Sequence, residues 1–183
     1  MFDLSDDHRK TLLNIARQSI AAVLGGRSPD WKAEDFDDTL RQPAGVFVTL
    51  RTREGDLRGC IGSIRAVDPL YRAVASSAIS AAFRDPRFEP LRPGELERLD
   101  LEISVMGPIE LVTSIEDIVA GCDGLIISQG GHAGLLLPQV ATEYEWDRET
   151  FLDQTCLKAG LRRGAWRGKD CRIEKFSAVV FGE

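Results

Sequence analysis

Cys60 stands between two glycines and two residues after an arginine, in the run Leu57-Arg58-Gly59-Cys60-Ile61-Gly62-Ser63. A permanent guanidinium charge beside a thiol favours the thiolate, which is the nucleophilic form. Gly59 and Gly62 remove side chains that would crowd a ligand or another backbone. The same residues also fit a small apolar cysteine in a strand, with the glycines marking a bulge. A nucleophile needs a proton acceptor. The candidates are Glu102, in the alternating run Leu101-Glu102-Ile103-Ser104-Val105, and His132, in a glycine-rich loop. Backbone N–H groups near Gly59 and Gly62 are candidate donors to a developing oxyanion. In Phe83-Arg84-Asp85-Pro86-Arg87-Phe88 the proline stops a helix. There Asp85 and Arg87 either pair to hold the turn or offer Arg87 to an anionic ligand.

Other chemistries fit less well. The spacing around Cys60 is not that of a G-x-S-x-G nucleophile elbow. Gly130 to Gly134 matches neither a Rossmann nor a P-loop fingerprint. Cys60, Cys122, Cys156 and Cys171 are far apart, no C-x-x-C pair occurs, and the histidines are only His8 and His132. No metal site is therefore expected, nor a redox dithiol. A net charge of −6 speaks against indiscriminate phosphate-backbone binding. The basic stretch from Leu161 to Arg172, with Trp166, could stack a base, but a solvated loop is the simpler reading. The acidic start Asp3-Leu4-Ser5-Asp6-Asp7 lacks the basic and apolar regions of a signal peptide, and no apolar run reaches membrane-spanning length. A cytoplasmic protein without membrane association is the expectation.

The elements that must carry these residues follow from periodicity. With 183 residues, 43% hydrophobic and 28% charged, the chain suffices for one large domain or two small lobes sharing a core. Ser5 or Asp6 caps a helix whose stripe is Leu12, Ile15, Ala16, Ile20, Val23 and Leu24, ended by Gly25 and Gly26. His8, near its start, suits an exposed or hydrogen-bonding role. Residues 27–44 read as a surface connector. Gly45 to Leu50 and Leu57 to Ile64 form a hairpin turning at Glu54-Gly55-Asp56. Alternation along its second strand puts Arg58 and Cys60 on one face. Asp68 as N-cap and Pro69 at the first turn open a helix through Leu70, Val74, Ala78 and Ala81. Its Ser76 and Ser77 read as packing residues. Leu99 to Val105 is a strand, and Glu102 can act with Cys60 if the two share a face. Gly124 to Ser128 and Leu135 to Val140 form a second hairpin around Gly130–Gly134. A helix from about Arg148 to Ala159 buries Cys156, and Arg172 to Phe181 is the last strand. Strands outnumber helices and come as hairpins, which predicts an α+β fold with a mainly antiparallel sheet flanked by helices.

Taken in order, Gly45-Val46-Phe47-Val48-Thr49-Leu50, Leu57-Arg58-Gly59-Cys60-Ile61-Gly62, Asp85-Pro86-Arg87-Phe88, Leu101 to Val105, Gly134-Leu135-Leu136-Leu137-Pro138-Gln139-Val140 and Thr155-Cys156-Leu157-Lys158-Ala159-Gly160-Leu161 closely resemble the AMMECR family, whose prokaryotic members are called AmmeMemoRadiSam system protein A. The resemblance runs from about Leu12 to Phe181. It implies one domain over residues 1–183, with a larger lobe formed by both chain ends and a smaller lobe from a central segment after about residue 64. It also implies a cytoplasmic protein associated with a Memo-like protein and a radical S-adenosylmethionine protein. It supplies no reaction and no cofactor, and a histidine is not a fixed feature of the family's glycine-rich loop.

Two functions follow from these residues. In one, Cys60 is the nucleophile of an enzyme, Arg58 stabilises its thiolate or holds an anionic group, and Glu102 or His132 handles protons. In the other, Arg58, Gly59 and Gly62, with Asp85 and Arg87, form a surface that binds a partner protein or an anionic small molecule, and Cys60 is itself a target of modification. Nucleic-acid binding through Arg162 to Arg172 is a third, weaker reading.

Overall fold

The computed structural model describes residues 3–183. In chain order the elements are α1 (Asp6–Leu24), α2 (Asp38–Arg41), β1 (Gly45–Thr52), β2 (Leu57–Ser63), α3 (Leu70–Phe83), β3 (Leu99–Leu111), β4 (Asp123–Gln129), β5 (His132–Leu136), α4 (Pro138–Glu143), α5 (Arg148–Lys158) and β6 (Arg172–Gly182). The fold is α+β with an antiparallel sheet, in the strand order β2-β1-β3-β6-β4-β5. Contacts divide the chain into two compact units, residues 3–106 with Val179–Glu183, and Gly107–Ala178. The long strands β3 and β6 contribute to both. No helix among the described residues is long and apolar enough to cross a membrane.

In the first unit, alternation along the strands decides what is buried. Val46, Val48 and Leu50 of β1 and Leu101, Ile103 and Val105 of β3 form one core with Leu12, Ile15, Ala16 and Ile20 of α1 and Leu70, Val74, Ala78 and Ala81 of α3. Each fully buried Leu, Ile or Val contributes about 1.5–3 kcal/mol. α1 begins with a capping box, in which the Ser5 hydroxyl accepts from the His8 N–H and the His8 ring accepts from the Ser5 N–H. The other ring nitrogen of His8 lies 2.7 Å from Asp37, which itself caps α2, so His8 has the hydrogen-bonding role expected of it. The connector thus contains a short helix, tied to the first by this pair.

α3 differs by one position from the expectation. Pro69, not Asp68, is its N-cap, and no side chain caps it. The Leu70 N–H, the first amide of the helix, donates to the Gln42 carbonyl, and the Ala44 N–H donates to the Asp68 carbonyl, so the connector is bonded to the start of α3. The alanines of α3 let it approach β2 closely. A Cβ built on Gly59 would lie 2.3 Å from the Ala81 carbonyl oxygen. At Gly62 a Cβ would meet Val46 O at 2.1 Å and the Phe47 ring at 2.6 Å. Both glycines make room for neighbouring protein.

In the second unit, Leu125, Ile127, Phe151, Leu152, Cys156 and Ile173 form a separate core, and Cys156 is fully buried as its helical position predicts. The second hairpin is tighter than expected. β4 and β5 are joined by Gly130 and Gly131 alone, at φ 55° and 86°, the positive values that a two-residue hairpin turn requires. Gly134 consequently lies inside β5, where a Cβ would come 2.3 Å from the nitrogen of Ala159, the residue that ends α5. The stretch from Pro138 to Val140 is helical, because a proline at the first helical position is set for a helix and cannot donate to a strand.

Gly59→Ala is expected to destabilise the protein by about 1–3 kcal/mol, since the added methyl meets backbone that has no room to yield. Urea denaturation checks this, with Val67→Ala, at a surface position 74% exposed, leaving the midpoint unchanged.

Candidate functional site

β2 is an edge strand, so every second residue turns its backbone N–H and C=O away from β1. At Cys60 those groups are met by the turn that follows α3. Asp85 Oδ2 accepts from Cys60 N–H at 2.9 Å, and Arg87 Nη2 donates to Cys60 O at 3.3 Å. Asp85 also accepts from Arg87 through its backbone N–H at 3.1 Å, Nε at 2.9 Å and Nη2 at 2.7 Å. The carboxylate therefore has four donors and its side chain is 1% exposed, while that of Arg87 is 54% exposed. The Arg87 guanidinium, against the cost of burial, holds the Asp85 carboxyl well below the usual aspartate range, with the Cys60 and Arg87 amides adding to the effect. Asp85 is a fixed anion that positions Cys60, and all of its acceptor capacity is in use.

Register defines the face on which the thiol lies. Cys60 pairs with Thr49, and Thr49 pairs with Glu102, so the three form one row across β2, β1 and β3. Gly62, Phe47 and Ser104 form the adjacent row on the same side. Residues paired across strands share a face, here the one opposite the α1 and α3 core. The Thr49 hydroxyl donates to Cys60 Sγ at 3.3 Å. Thr49 is buried, whereas Cys60 and Glu102 are half-buried. Strands lie about 4.8 Å apart, which separates the Cys60 and Glu102 backbones by about 10 Å, with Thr49 between them.

Arg58 has a different place from the one strict alternation assigns. Leu50 pairs with Gly59 but Arg51 pairs with Leu57, so Arg58 is the extra residue of a bulge. Its Nη2 contacts Glu95 at 3.3 Å and 3.5 Å. The arginine bonded to the Cys60 residue is Arg87, which the Asp85 carboxylate holds charged against the cost of burial. His132 belongs to the second unit, where it opens β5 opposite Gln129 and is exposed.

The remaining cysteines differ in kind. Burial pushes the thiols of Cys156 and Cys171 up, and Cys122 is exposed. None of the four forms a disulfide. No group of three or more His, Cys, Asp or Glu among the described residues is arranged to hold a metal ion. Trp166 in the basic stretch is 7% exposed, its indole N–H donates to Asp153, and Arg167 covers its ring at 3.8 Å. That ring is occupied by protein and presents no free face to a base. Between β2 and α3 lies a cavity of about 390 Å³ lined by Gly62, Ser63, Arg65, Ser76, Ser77 and Ser80. Helical spacing puts Ser76, Ser77 and Ser80 on neighbouring positions, a signal that the packing explanation passes over.

Asp85→Asn is expected to cost about 2–3 kcal/mol at neutral pH, less than breaking a sealed pair because Arg87 is half in water. A lowered folded-state pKa contributes stability above the unfolded value of about 3.9 and loses it as pH falls toward the folded one. Urea denaturation at several pH values should therefore show the gap between wild type and Asp85→Asn narrowing below about pH 4.

The AMMECR1 family model matches residues 13–181. A protein of Methanothermobacter thermautotrophicus is 47% identical over 186 residues, covering 98% of this chain and 96% of its own. Protein TK0174 of Thermococcus kodakarensis is 40% identical over 192 residues, covering 100% of this chain and 94% of its own. The crystal structure of the uncharacterized protein PH0010 from Pyrococcus horikoshii superposes with a TM-score of 0.90 at 38% identity, over 98% of this chain and 93% of that one. With the motif run, the whole-length match and the fold in agreement, this chain belongs to the AMMECR1 family.

Proposed function

We propose that this protein is an enzyme that uses Cys60 as a nucleophile. The observation that carries the reading is the hydrogen bond from the Thr49 hydroxyl to Cys60 Sγ at 3.3 Å, on a backbone clamped by Asp85 and Arg87. The Thr49 hydroxyl holds the sulfur in a fixed direction, and the Arg87 guanidinium bonded to the Cys60 carbonyl places a positive charge beside the site. Glu102, at the far end of the row, is the group that moves protons. In the reaction, the sulfur electron pair forms a bond to an electrophilic carbon while the leaving group departs with its own pair. Water then attacks that carbon, the sulfur–carbon bond breaks, and Glu102 takes the proton of the water. The Cys60 N–H already donates to Asp85 and is not free for an oxyanion, so protease-like acyl transfer is not part of this reading.

The protein works in the cytoplasm on this proposal, where thiols stay reduced, in keeping with four cysteines and no disulfide. Its associates are the Memo-like and radical S-adenosylmethionine proteins that the family resemblance implies. His132 and Arg58 have no part in the chemical step.

Site-resolved alkylation by iodoacetamide near neutral pH is the test. Exposure alone would make Cys122 react faster than the half-buried Cys60. Cys60 is expected to react faster instead, and Thr49→Val to slow it by about tenfold, the effect of losing one charge-assisted hydrogen bond. The negatively charged iodoacetate should lose more of its rate than iodoacetamide in Arg87→Gln. A Cys60 slower than Cys122 and indifferent to Thr49→Val would overturn the nucleophile, leaving the strand as a docking surface.

A further inference from the structure

The bulge that turns Arg58 out of register delivers it to a second concavity. This pocket, of about 500 Å³, is lined by Thr52, Arg53, Glu54, Arg58, Glu95, Arg98 and Leu99, all in the first unit. Its size is that of a small-molecule site. Three guanidinium groups face two carboxylates there, so the lining carries an excess of positive charge. The partners of those arginines are incomplete. Arg53 donates from Nη2 to the Glu97 carbonyl at 3.1 Å. Arg58 uses only Nη2 toward Glu95, at 3.3 Å and 3.5 Å, which are long for a charged pair. One oxygen of Glu95 is shared with the Arg92 N–H, which draws it away from a two-pronged grip on Arg58.

The other terminal nitrogen of Arg58, Nη1, is sealed from solvent and has no hydrogen-bond partner, in a side chain that is 17% exposed. A buried charged donor left unsatisfied is costly, and such groups are rare in folded proteins without a ligand or ordered water to meet them. The bulge and the weak grip of Glu95 leave the guanidinium free to turn about its terminal bond toward an incoming acceptor. Leu99, 6% exposed, gives the pocket an apolar floor.

We infer that this pocket is a binding site for a small molecule bearing an oxyanion, a phosphate or a carboxylate, gripped by Arg58 with Arg53 and Arg98. Arg58 presents the planar fork that matches either group, and binding supplies Nη1 with the acceptor it lacks. Arg98 is exposed and without a side-chain partner among the described residues, which suits it to close over the ligand from the rim. The site requires no chemistry at Cys60, and stands whether or not that thiol is a nucleophile.

Thermal unfolding with increasing inorganic phosphate or succinate, at constant ionic strength, tests the inference. A saturable rise in melting temperature is expected with at least one of the two. Phosphate alone acting assigns the site to phosphorylated ligands, and succinate alone to carboxylates. Arg98→Gln should weaken the apparent affinity about tenfold, as should Arg58→Gln, whereas Arg65→Gln, the same charge change outside the pocket, should not. Arg98 is a surface residue, so its variant keeps the test valid if Arg58→Gln unfolds. Failure of both probes to give a saturable effect, or equal affinities in wild type and Arg98→Gln, would overturn the site.

Discussion

The first unit depends on a carboxylate buried at the edge of a sheet. β2 has no neighbour on its outer side, and the Cys60 amide would otherwise be left to water or to another chain. Asp85 takes the place of a neighbouring strand's carbonyl, and Arg87 that of its amide. Burying Asp85 is tolerable because four donors surround it and two of them belong to the Arg87 guanidinium. Since Asp85 lies just past the end of α3, the clamp ties the helix terminus to the strand and sets where the thiol stands.

The hairpin of β1 and β2, the amphipathic stripe of α1, the alternating β3 and the Asp85–Arg87 pair were all legible in the sequence, because each depends on spacing over a few residues. Elements set by longer-range partners were less so. Gly134 reads as a loop glycine next to Gly130 and Gly131, and only the approach of α5 explains why it belongs inside a strand. Pro69 reads as a first-turn proline, but the carbonyl of Gln42 decides where α3 begins. Alternation could not anticipate the bulge at Arg58, since a slip of one residue leaves no mark on composition. Thr49 was missed as a partner of Cys60 because its strand reads as core, and the pairing register is what brings the two together.

The motif arginine and the motif cysteine therefore have separate surroundings. Two residues apart in the chain, they are parted by the bulge, and each cation has its own carboxylate: Arg58 has Glu95, Arg87 has Asp85. The two pairs differ in what they leave over. Asp85 is saturated, so the Arg87 pair is a fixed part of the framework. Glu95 is divided between two donors, so the Arg58 pair retains unused capacity.

The approach of Gly59 to the Ala81 carbonyl has a mechanical consequence. Packed helices commonly slide past one another or over a sheet by small shear displacements cushioned by side chains. Between α3 and β2 there is no such cushion at this point, since backbone rests on backbone, and the Asp85 clamp fixes the helix end as well. The Cys60 segment and α3 must then move as one rigid piece, so that adjustment to a bound molecule falls to side chains and to the loops beyond.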